Sequence, residues 1–239
     1  MADTSTYRVR SVNRIREPRT EHGASRNRLI ACLSQADQLL VPALEPVRLR
    51  PDTVVYHQND PVRYAYFPVR GLISLYGMTA DGEMLQVGAI GSSGLVGVQV
   101  VLEEVASPHH VAVHVPSDAY RASGSALREL CRRSPTARQA LLREAHSQLV
   151  LIGHAALCHR FHTARQRLSR WLLIYASRTS SDTVDLTQDV LAQILGSPRT
   201  VVSRAANQLQ DVRAVRQLHG RLQILDRGAL AKCACPCDI

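Results

Sequence analysis

Short apolar runs alternate with turn-forming residues in residues 45–120. The runs are rich in β-branched and aromatic side chains, as β-strands are, and cover residues 53–56, 64–67, 72–76, 84–90 and 111–115. Arg70-Gly71 and Asp81-Gly82 fall between runs, and Asp-Gly is typical of a tight hairpin turn. Strands spaced this closely predict a small antiparallel β-barrel or β-roll.

Two segments precede this β-rich region. Residues 1–27 are polar and arginine-rich without periodicity, so we expect a disordered basic arm. Residues 27–44 carry apolar side chains at helical spacing and predict a short helix. The roll domain is therefore expected over residues 28–134.

A long amphipathic helix is predicted over residues 135–160. Its apolar positions follow alternating steps of three and four residues, the a/d stripe of a coiled-coil seam: Leu142, Ala145, Leu149, Ile152, Ala156 and His159. A second apolar face carries Leu141, Leu151, Ala155 and Cys158. A helix with two apolar faces packs on its own domain and on a partner at once, so we expect a dimerisation helix. A helix fully buried in a single core is the alternative.

Two short helices are predicted in residues 186–209, after a further helix over residues 163–177. Only Gly196-Ser197-Pro198 interrupts the apolar pattern, and glycine permits the positive φ of a sharp turn. Ser197 is the expected N-cap of the second helix, with Pro198 in its first position. The outward side chains suit the reading of base edges in a DNA major groove: Arg199, Thr200, Ser203 and Arg204. Two ordinary packed helices with a solvated arginine face are the alternative.

A two-stranded hairpin is predicted after the second helix. Residues 215–218 and 221–225 flank His219-Gly220, and a hairpin in this place makes a winged helix. The predicted fold is α+β: an N-terminal antiparallel β-roll, a long dimerisation helix and a C-terminal winged helix-turn-helix domain over residues 161–239.

The net charge of +9 is unevenly distributed along the 239 residues. Residues 1–28 hold seven arginines against three acidic residues, residues 29–160 are balanced at eleven and eleven, and residues 161–239 hold eleven basic and six acidic residues. A basic end domain is typical of a protein that binds polyanions. An arginine bias of the genome is the alternative, because 28 arginines stand against one lysine, but such a bias does not explain the neutral middle.

Membrane insertion and secretion are not expected. The chain has no apolar run of about 18 residues and no apolar core of a signal peptide near its start. We therefore expect a cytoplasmic protein.

The order of β-roll, seam helix and winged helix-turn-helix resembles that of the Crp/Fnr family of bacterial transcription regulators, over roughly residues 29–230. The resemblance is most specific in residues 186–204, LTQDVLAQILGSPRTVVSR. It implies that Arg199 and Arg204 read bases, that Ser203 matches a serine of the Fnr-like branch, and that Thr187 contacts a backbone phosphate. Thr200 stands where the family usually has a glutamate that accepts from cytosine, so the family's usual half-site is not implied. Ser197 and Arg221 complete the expected DNA contacts.

The predicted roll domain, residues 28–134, differs in sequence from that of the cyclic-AMP-binding members of this family. Those members carry a Gly-Glu pair and an Arg-Ser/Thr pair, and the matching residues 94–98 and 107–111 contain neither glutamate nor arginine. The expected effector pocket comprises Gly94, Val96, Gly97, His109 and His110. One of the two histidines would offer a partly charged donor; two rim histidines on a turn are the alternative. Cyclic AMP binding is therefore not expected.

No cofactor is predicted, although two groups of residues are candidate ligands for a metal ion or a haem. Cys233, Cys235 and Cys237 form a cluster near the C-terminus whose spacing is not CxxC, and an extended tail would turn neighbouring thiols to opposite sides. It is either a metal or redox site or an exposed, unstructured tail. Histidines 146, 154, 159 and 162 on or after the seam helix are either haem or metal ligands or polar surface residues. The iron–sulfur site of Fnr-like members is not implied, because no cysteine precedes Cys32.

An enzyme is not expected. The sequence lacks a nucleophile elbow, HExxH, a Walker lysine and GxGxxG. The leading hypothesis is a homodimeric, sequence-specific DNA-binding regulator, with double-stranded palindromic DNA and RNA polymerase as partners, in which a shift of the seam reorients the two reading helices. The alternative is a ligand-binding or protein-interaction module that kept the fold and lost regulated DNA binding.

Overall fold

The computed structural model describes residues 13–14, 21–102, 106–218 and 220–237. The chain divides into two compact units: Met1–Gly82 with Gly88–Val150, and Glu83–Val87 with Leu151–Ile239. The α+β class with an N-terminal antiparallel roll and a C-terminal helix-turn-helix is confirmed. None of the described helices is long and apolar enough to cross a membrane.

Most of the first unit is an antiparallel sheet with flanking helices, and residues 84–87, which begin the last strand of this sheet, belong to the second unit. The elements of the sheet and its flanking helices are β1 (Asn13–Arg14), α1 (Glu21–Ala24), α2 (Arg28–Ala36), β2 (Glu45–Leu49), β3 (Thr53–Tyr56), β4 (Tyr64–Met78), β5 (Met84–Ile90), β6 (His110–Ser123) and α3 (Gly124–Arg133), with 3₁₀ turns at Gln38–Ala43 and Val98–Val101. The strand order is β1-β2-β6-β4-β5, and β3 also pairs with β6. Consecutive side chains of β4 and β6 are buried, so both faces of these central strands are covered, and the apolar interior includes Phe67, Leu72 and Val113.

The strand β4 joins two apolar runs that the sequence separates. The predicted turn at Arg70-Gly71 is wrong: the backbone continues through a register shift against β6. Gly71 has φ +86°, and a Cβ there would lie 2.4 Å from the carbonyl oxygen of Pro116. Glycine therefore permits a bulge that bends one long strand instead of ending it.

The expected disorder of residues 1–27 is wrong for the part that the structure describes. Asn13 and Arg14 pair with β2, and Ala24 is buried. Asn27 is fully buried; its side chain caps α2 by accepting from the backbone of Leu29 and Ile30. Residues 1–12 and 15–20 of the predicted arm lie outside the described residues. The spacing of apolar residues gave no sign of order here, whereas Asn27, a residue type favoured at helix N-caps, marks where α2 begins.

The helix α4 (Pro135–Phe161) begins at the residue from which the sequence predicts it. Ser134 caps it by accepting from the backbone N–H of Ala137. The chain passes from the first unit to the second within this helix, after Val150. Leu149 and Leu157 are 69% and 54% exposed, so this helix is not wholly enclosed in its own chain.

The second unit is a winged helix. It contains α5 (Ala164–Thr179), β7 (Thr183–Val184), α6 (Gln188–Leu195), α7 (Arg199–Asp211), β8 (Val215–Leu218), β9 (Arg221–Ile224) and α8 (Arg227–Cys233). The sheet order is β7-β9-β8, so the wing hairpin is extended by β7, a strand that the sequence analysis missed. Trp171 and Leu172 of α5 are buried together with Leu191, Val202 and Leu209 of the helix-turn-helix.

Candidate nucleic-acid interface

The turn between α6 and α7 has the geometry that the glycine predicts. Thr187 is the N-cap of α6, and its hydroxyl accepts from the backbone N–H of Val190 at 3.2 Å. Gly196 ends the helix at φ +51° and ψ +48°, in the left-handed region. Because only residues 196–198 separate the two helices, the chain reverses sharply and presents the start of α7 to solvent.

The predicted start of α7 is wrong by one residue. Pro198 is the N-cap, without a side-chain cap hydrogen bond, and Arg199 is the first helical residue. The Ser197 hydroxyl accepts from Arg167 Nη2 at 2.8 Å and donates to the carbonyl oxygen of Leu195 at 3.3 Å. Ser197 therefore braces the turn against α5, and this geometry does not support its place among the DNA contacts.

The face of α7 turned away from the core is polar and cationic. Val202, Ala205, Ala206 and Leu209 are buried, whereas Thr200 and Arg204 are exposed. Arg204 makes no hydrogen bond or ion pair with the residues that the structure describes. Val201 is 37% exposed, and it places an apolar side chain one helical turn before Arg204 and Ala205. This face offers both a guanidinium and a methyl surface, which suit guanine and the thymine methyl group respectively.

Gln188 organises part of this face and was missed by the sequence analysis. Its Oε1 accepts from Ser203 Oγ at 2.7 Å and from Arg199 Nε at 3.4 Å. Arg199 also forms an exposed ion pair with Asp189 at 3.6 Å. Exposed pairs are weak, so Arg199 can exchange this partner for a phosphate or base at small cost.

The wing is tied to the reading helix. Gln217 Nε2 donates to Asn207 Oδ1 at 2.6 Å, and the backbone N–H of Gln217 donates to Gln210 Oε1 at 2.9 Å. Arg221, at the start of β9, is exposed and pairs with Asp185 at 3.1 Å. Arg213 and Arg216 beside it are also exposed, so the surface next to the wing is rich in cations that the sequence analysis did not single out.

The predicted effector pocket is largely closed by the chain itself. Val96 is 2% exposed, and its N–H and C=O both pair with the backbone of Tyr66 at 2.8 Å. Gly97 has φ +88°, and a Cβ there would lie 2.7 Å from the carbonyl oxygen of Tyr64. The interpretation of Val96 and Gly97 as an open ligand-binding surface is wrong, because strand-like pairing uses their backbone.

A carboxylate from α4 contacts the same segment. Glu144 Oε1 accepts from the backbone N–H of Leu95 at 3.3 Å and from Gln148 Nε2 at 2.8 Å, and Gln148 also donates to the carbonyl oxygen of Leu95 at 2.7 Å. A Cβ on Gly94 would lie 2.5 Å from Glu144 Oε1. Burial raises the pKa of Glu144, and the hydrogen bonds from Gln148 and Leu95 oppose that rise. The loop is thus already hydrogen-bonded to a carboxyl group that belongs to the protein.

The two predicted pocket histidines do not carry charge near neutral pH. His110 opens β6 and is 4% exposed; burial and the neighbouring His57 lower its pKa to about 4. Burial also lowers the pKa of His109. His114, which the sequence analysis missed, is also buried in the roll, with its ring 5.7 Å from that of Tyr76. The expected partly charged donor and the alternative of rim histidines are both wrong for His110.

The exposed apolar stripe of α4 differs from the predicted seam. Leu142 and Leu149 are 43% and 69% exposed and Ala156 is exposed, as a seam requires, but Ala145 is buried and Ile152 is half-buried. His159 is half-buried and contacts the Arg167 guanidinium. The exposed side also carries apolar residues outside the predicted stripe: Val150, Leu157 and Phe161. The a/d pattern correctly predicts a long helix, but Ala145 is buried and Ile152 and His159 are half-buried within their own chain, so these three positions differ from the predicted stripe.

The sequence matches two domain families. Residues 46–134 match the cyclic nucleotide-binding domain, and residues 166–233 match the Crp-like helix-turn-helix domain. No curated protein matches the chain.

Several solved structures share the fold. FixK2 from Bradyrhizobium japonicum is 17% identical with a TM-score of 0.69, covering 82% of this chain and 99% of FixK2. The c-di-GMP-responsive global regulator CLP from Xanthomonas campestris is 16% identical with a TM-score of 0.65, covering 81% and 99%. A transcriptional regulator of the Crp/Fnr family from Eubacterium rectale is 14% identical with a TM-score of 0.67, covering 83% and 93%.

A cyclic-nucleotide-binding-type roll joined by a long helix to a winged helix-turn-helix defines a class of transcription regulators. With both domain families matched in this order, the chain belongs to the Crp/Fnr family.

Proposed function

We propose that this protein binds DNA sequence-specifically as a homodimer and regulates transcription. The observation that carries the proposal is the outward face of α7, where Arg204 is exposed and not engaged by the described residues, beside Arg199 and Ser203 on Gln188. An exposed guanidinium on the second helix of a helix-turn-helix suits bidentate binding to guanine. Thr187 and Arg221 flank this face and suit phosphate contacts.

The exposed side of α4 supports the homodimer. Leu142, Leu149 and Leu157 are 43%, 69% and 54% exposed, which is more apolar surface than one helix normally leaves in water. Gly153 lies among them, and a Cβ there would meet nothing within 4 Å. A second copy of the same helix, packed in a parallel seam, would cover these side chains and could approach closely at the glycine. RNA polymerase remains a predicted partner.

Cyclic AMP is not the expected effector of the proposed regulator. The Glu144 carboxyl already accepts from the backbone N–H of Leu95, so a cyclic phosphate there would have to displace it. Since His110 is neutral at pH 7, it cannot offset the phosphate. A buried phosphate without a fixed cation loses its hydration without replacement.

A module that lost DNA binding is the less favoured candidate. Such a module has no reason to keep Arg204 exposed on the reading helix or Gln188 positioned to hold Arg199 and Ser203.

Selection of binding sites from a random duplex library with the full chain tests the proposal. The expected result is enrichment of a palindrome whose specific affinity is at least about 1,000-fold above that for random DNA and falls steeply with salt. Failure to enrich any sequence, with binding to random DNA that is equally tight, would contradict it.

A further inference from the structure

Four potential metal ligands converge in the second unit. The Sγ atoms of Cys158, Cys235 and Cys237 and a ring nitrogen of His162 all lie within 4.8 Å of one another. Cys158 Sγ and Cys235 Sγ are 3.4 Å apart, and Cys237 Sγ lies 3.5 Å from His162 Nδ1. Two of these ligands come from the end of α4 and two from the segment after α8, so the cluster joins elements 77 residues apart in sequence.

The local structure explains how the four side chains meet. Cys158 and His162 are four residues apart, and the backbone N–H of His162 still donates to the carbonyl oxygen of Cys158 at 3.1 Å, so both side chains project from one side of the last turn. After α8 the backbone N–H of Cys235 donates to the carbonyl oxygen of Gln166 at 3.4 Å. That bond anchors the tail beside α5. The alternative of an exposed, unstructured tail is therefore wrong for Cys235, which is buried, and the metal or redox site stays a prediction.

Cys233 is not one of the four, although it belongs to the same sequence cluster. It ends α8, whereas Cys235 and Cys237 follow in extended chain. The expectation that neighbouring thiols of an extended tail face opposite sides is wrong, because residues i and i+2 of an extended chain lie on the same face. Cys235 and Cys237 both turn toward Cys158 and His162.

The distances fit one tetrahedral ion. With Zn–S near about 2.3 Å and Zn–N near about 2.0 Å, donors around zinc lie roughly 3.5–3.8 Å apart. The two closest pairs here, at 3.4 and 3.5 Å, are already at that spacing, and no pair exceeds 4.8 Å. An iron–sulfur cluster needs its thiolates spread around several irons, and these ligands are too close together for that.

Burial and charge also suit a metal thiolate. Cys158 and Cys235 are 3% and 6% exposed, so water is largely excluded. Arg170 Nη1 donates to Cys158 Sγ at 3.6 Å. A guanidinium beside a ligating sulfur compensates the negative charge that three thiolates and one divalent ion leave, as outer hydrogen bonds do in metal sites.

We propose that Cys158, His162, Cys235 and Cys237 bind one zinc ion that fastens the C-terminal segment to the junction between α4 and α5. Four protein ligands leave no open position, so the site is structural and not catalytic. Zinc is preferred because three thiolates and one imidazole at tetrahedral spacing match its structural sites. The inference is independent of DNA binding.

Elemental analysis of the full chain, purified without added chelator or metal, tests the site. The expected content is about one zinc per chain, lost in Cys235→Ser and in Cys237→Ser. The matched control is Cys233→Ser, which removes a thiol of the same cluster and should keep its zinc. Circular dichroism of each variant identifies the folded fraction, to which the zinc content is referred; Cys237 is half-buried, so its replacement is the milder one.

Cobalt titration of the chelator-treated full chain supplies a second readout. Intense visible bands of tetrahedral thiolate-bound Co²⁺ are expected for the unaltered chain and for Cys233→Ser, and not for folded Cys237→Ser. The proposal is overturned if the folded chain neither contains zinc nor takes up Co²⁺, if Cys233→Ser loses the metal as fully as Cys235→Ser, or if mass spectrometry finds Cys158 and Cys235 joined as a disulfide in the freshly purified protein.

Discussion

Arg204 and Arg199 differ in how the domain holds them. Arg199 shares Gln188 with Ser203 and pairs with Asp189, whereas Arg204 is exposed and free of such contacts within the described chain. Arg204 can therefore bind a base without breaking an internal bond, while Arg199 must give up two. The sequence placed both arginines on the reading face, but it could not reveal Gln188, because that bond joins two helices.

Replacing Arg204 with alanine should cost about 1–3 kcal/mol on the selected site and relax the preference at one base pair in each half-site. Fluorescence anisotropy on the selected duplex and on its single-base variants measures both effects. Arg132→Ala is the control, since Arg132 is an exposed arginine of the first unit. Equal losses for Arg204→Ala on selected and random DNA would show that this side chain contacts only phosphates.

The buried histidines of the roll make its stability depend on pH. Burial lowers the pKa of both His110 and His114, so the unfolded chain binds protons more tightly than the folded one. The stability that both histidines contribute is therefore fully present above about pH 6.5 and is lost below it, and for His110 the loss continues until the pH falls to about 4. Each such histidine contributes at most about 1.4 kcal/mol per pH unit in that window.

His114→Gln tests this dependence at one site. The variant should lose less stability than the unaltered chain between pH 7 and pH 5, whatever its stability at pH 7, because one proton-binding difference is gone. Urea unfolding followed by circular dichroism at each pH measures the change. His146→Gln, at an exposed position of α4, is the matched control. Parallel pH profiles for His114→Gln and the unaltered chain would contradict this account.

Among the elements, α4 shows what periodicity can and cannot predict. The spacing of apolar residues correctly predicts a long helix with two apolar sides. It cannot decide which positions contact their own chain, because helical residues three and four apart share a face and several stripes fit the same sequence. The partners that bury Ala145 come from residues distant in sequence, and only the fold reveals them.

Leu149→Asp places a charge at the most exposed leucine of this helix. If that leucine lies in a dimer seam, burying the carboxylate is costly, and the variant should be a monomer. Size-exclusion chromatography with light scattering measures the mass. Ser147→Asp, exposed on the same helix away from the leucines, should remain dimeric. An unchanged dimer for Leu149→Asp would place the association surface elsewhere.

The helix-turn-helix could be predicted from residues near one another in the sequence, whereas the bounds of the strands could not. Gly196 and the N-cap Thr187 are local, and the turn follows as predicted. The bulge at Gly71 depends on the close approach of Pro116 from β6, so the sequence around Gly71 suggests a turn where the strand in fact continues. Local capping and turn chemistry could be predicted; pairing across the sheet could not.

For the molecule as a whole, the least predictable features are those that join distant segments. The contact of Glu144 with Leu95 spans 49 residues and the contact of Cys158 with Cys235 spans 77. Neither produces a motif in the sequence. The sequence alone shows that residues 94–98 and 107–111 lack the glutamate and arginine of the cyclic-AMP-binding members. It does not show that the Glu144 carboxyl contacts the backbone of Leu95.

Cyclic AMP should neither bind the protein nor change its affinity for DNA. A phosphate beside Leu95 would have to displace the Glu144 carboxyl, and the neutral His110 would supply no positive charge to it. Isothermal titration calorimetry at millimolar cyclic AMP measures this directly, with the same titration into Glu144→Gln as the comparison. Micromolar binding by the unaltered chain would mean that the loop rearranges and releases Glu144.

The central claim, a dimer that reads two half-sites of DNA through α7, is tested most directly by changing the spacing of the selected palindrome. Two recognition helices of a dimer match half-sites about one helical turn apart. Inserting about five base pairs at the centre turns one half-site to the opposite face and leaves every base contact of each half intact. The account predicts that affinity falls by at least about 100-fold, because only one half-site can then be engaged. Equal affinity for the original and the lengthened duplex would contradict it.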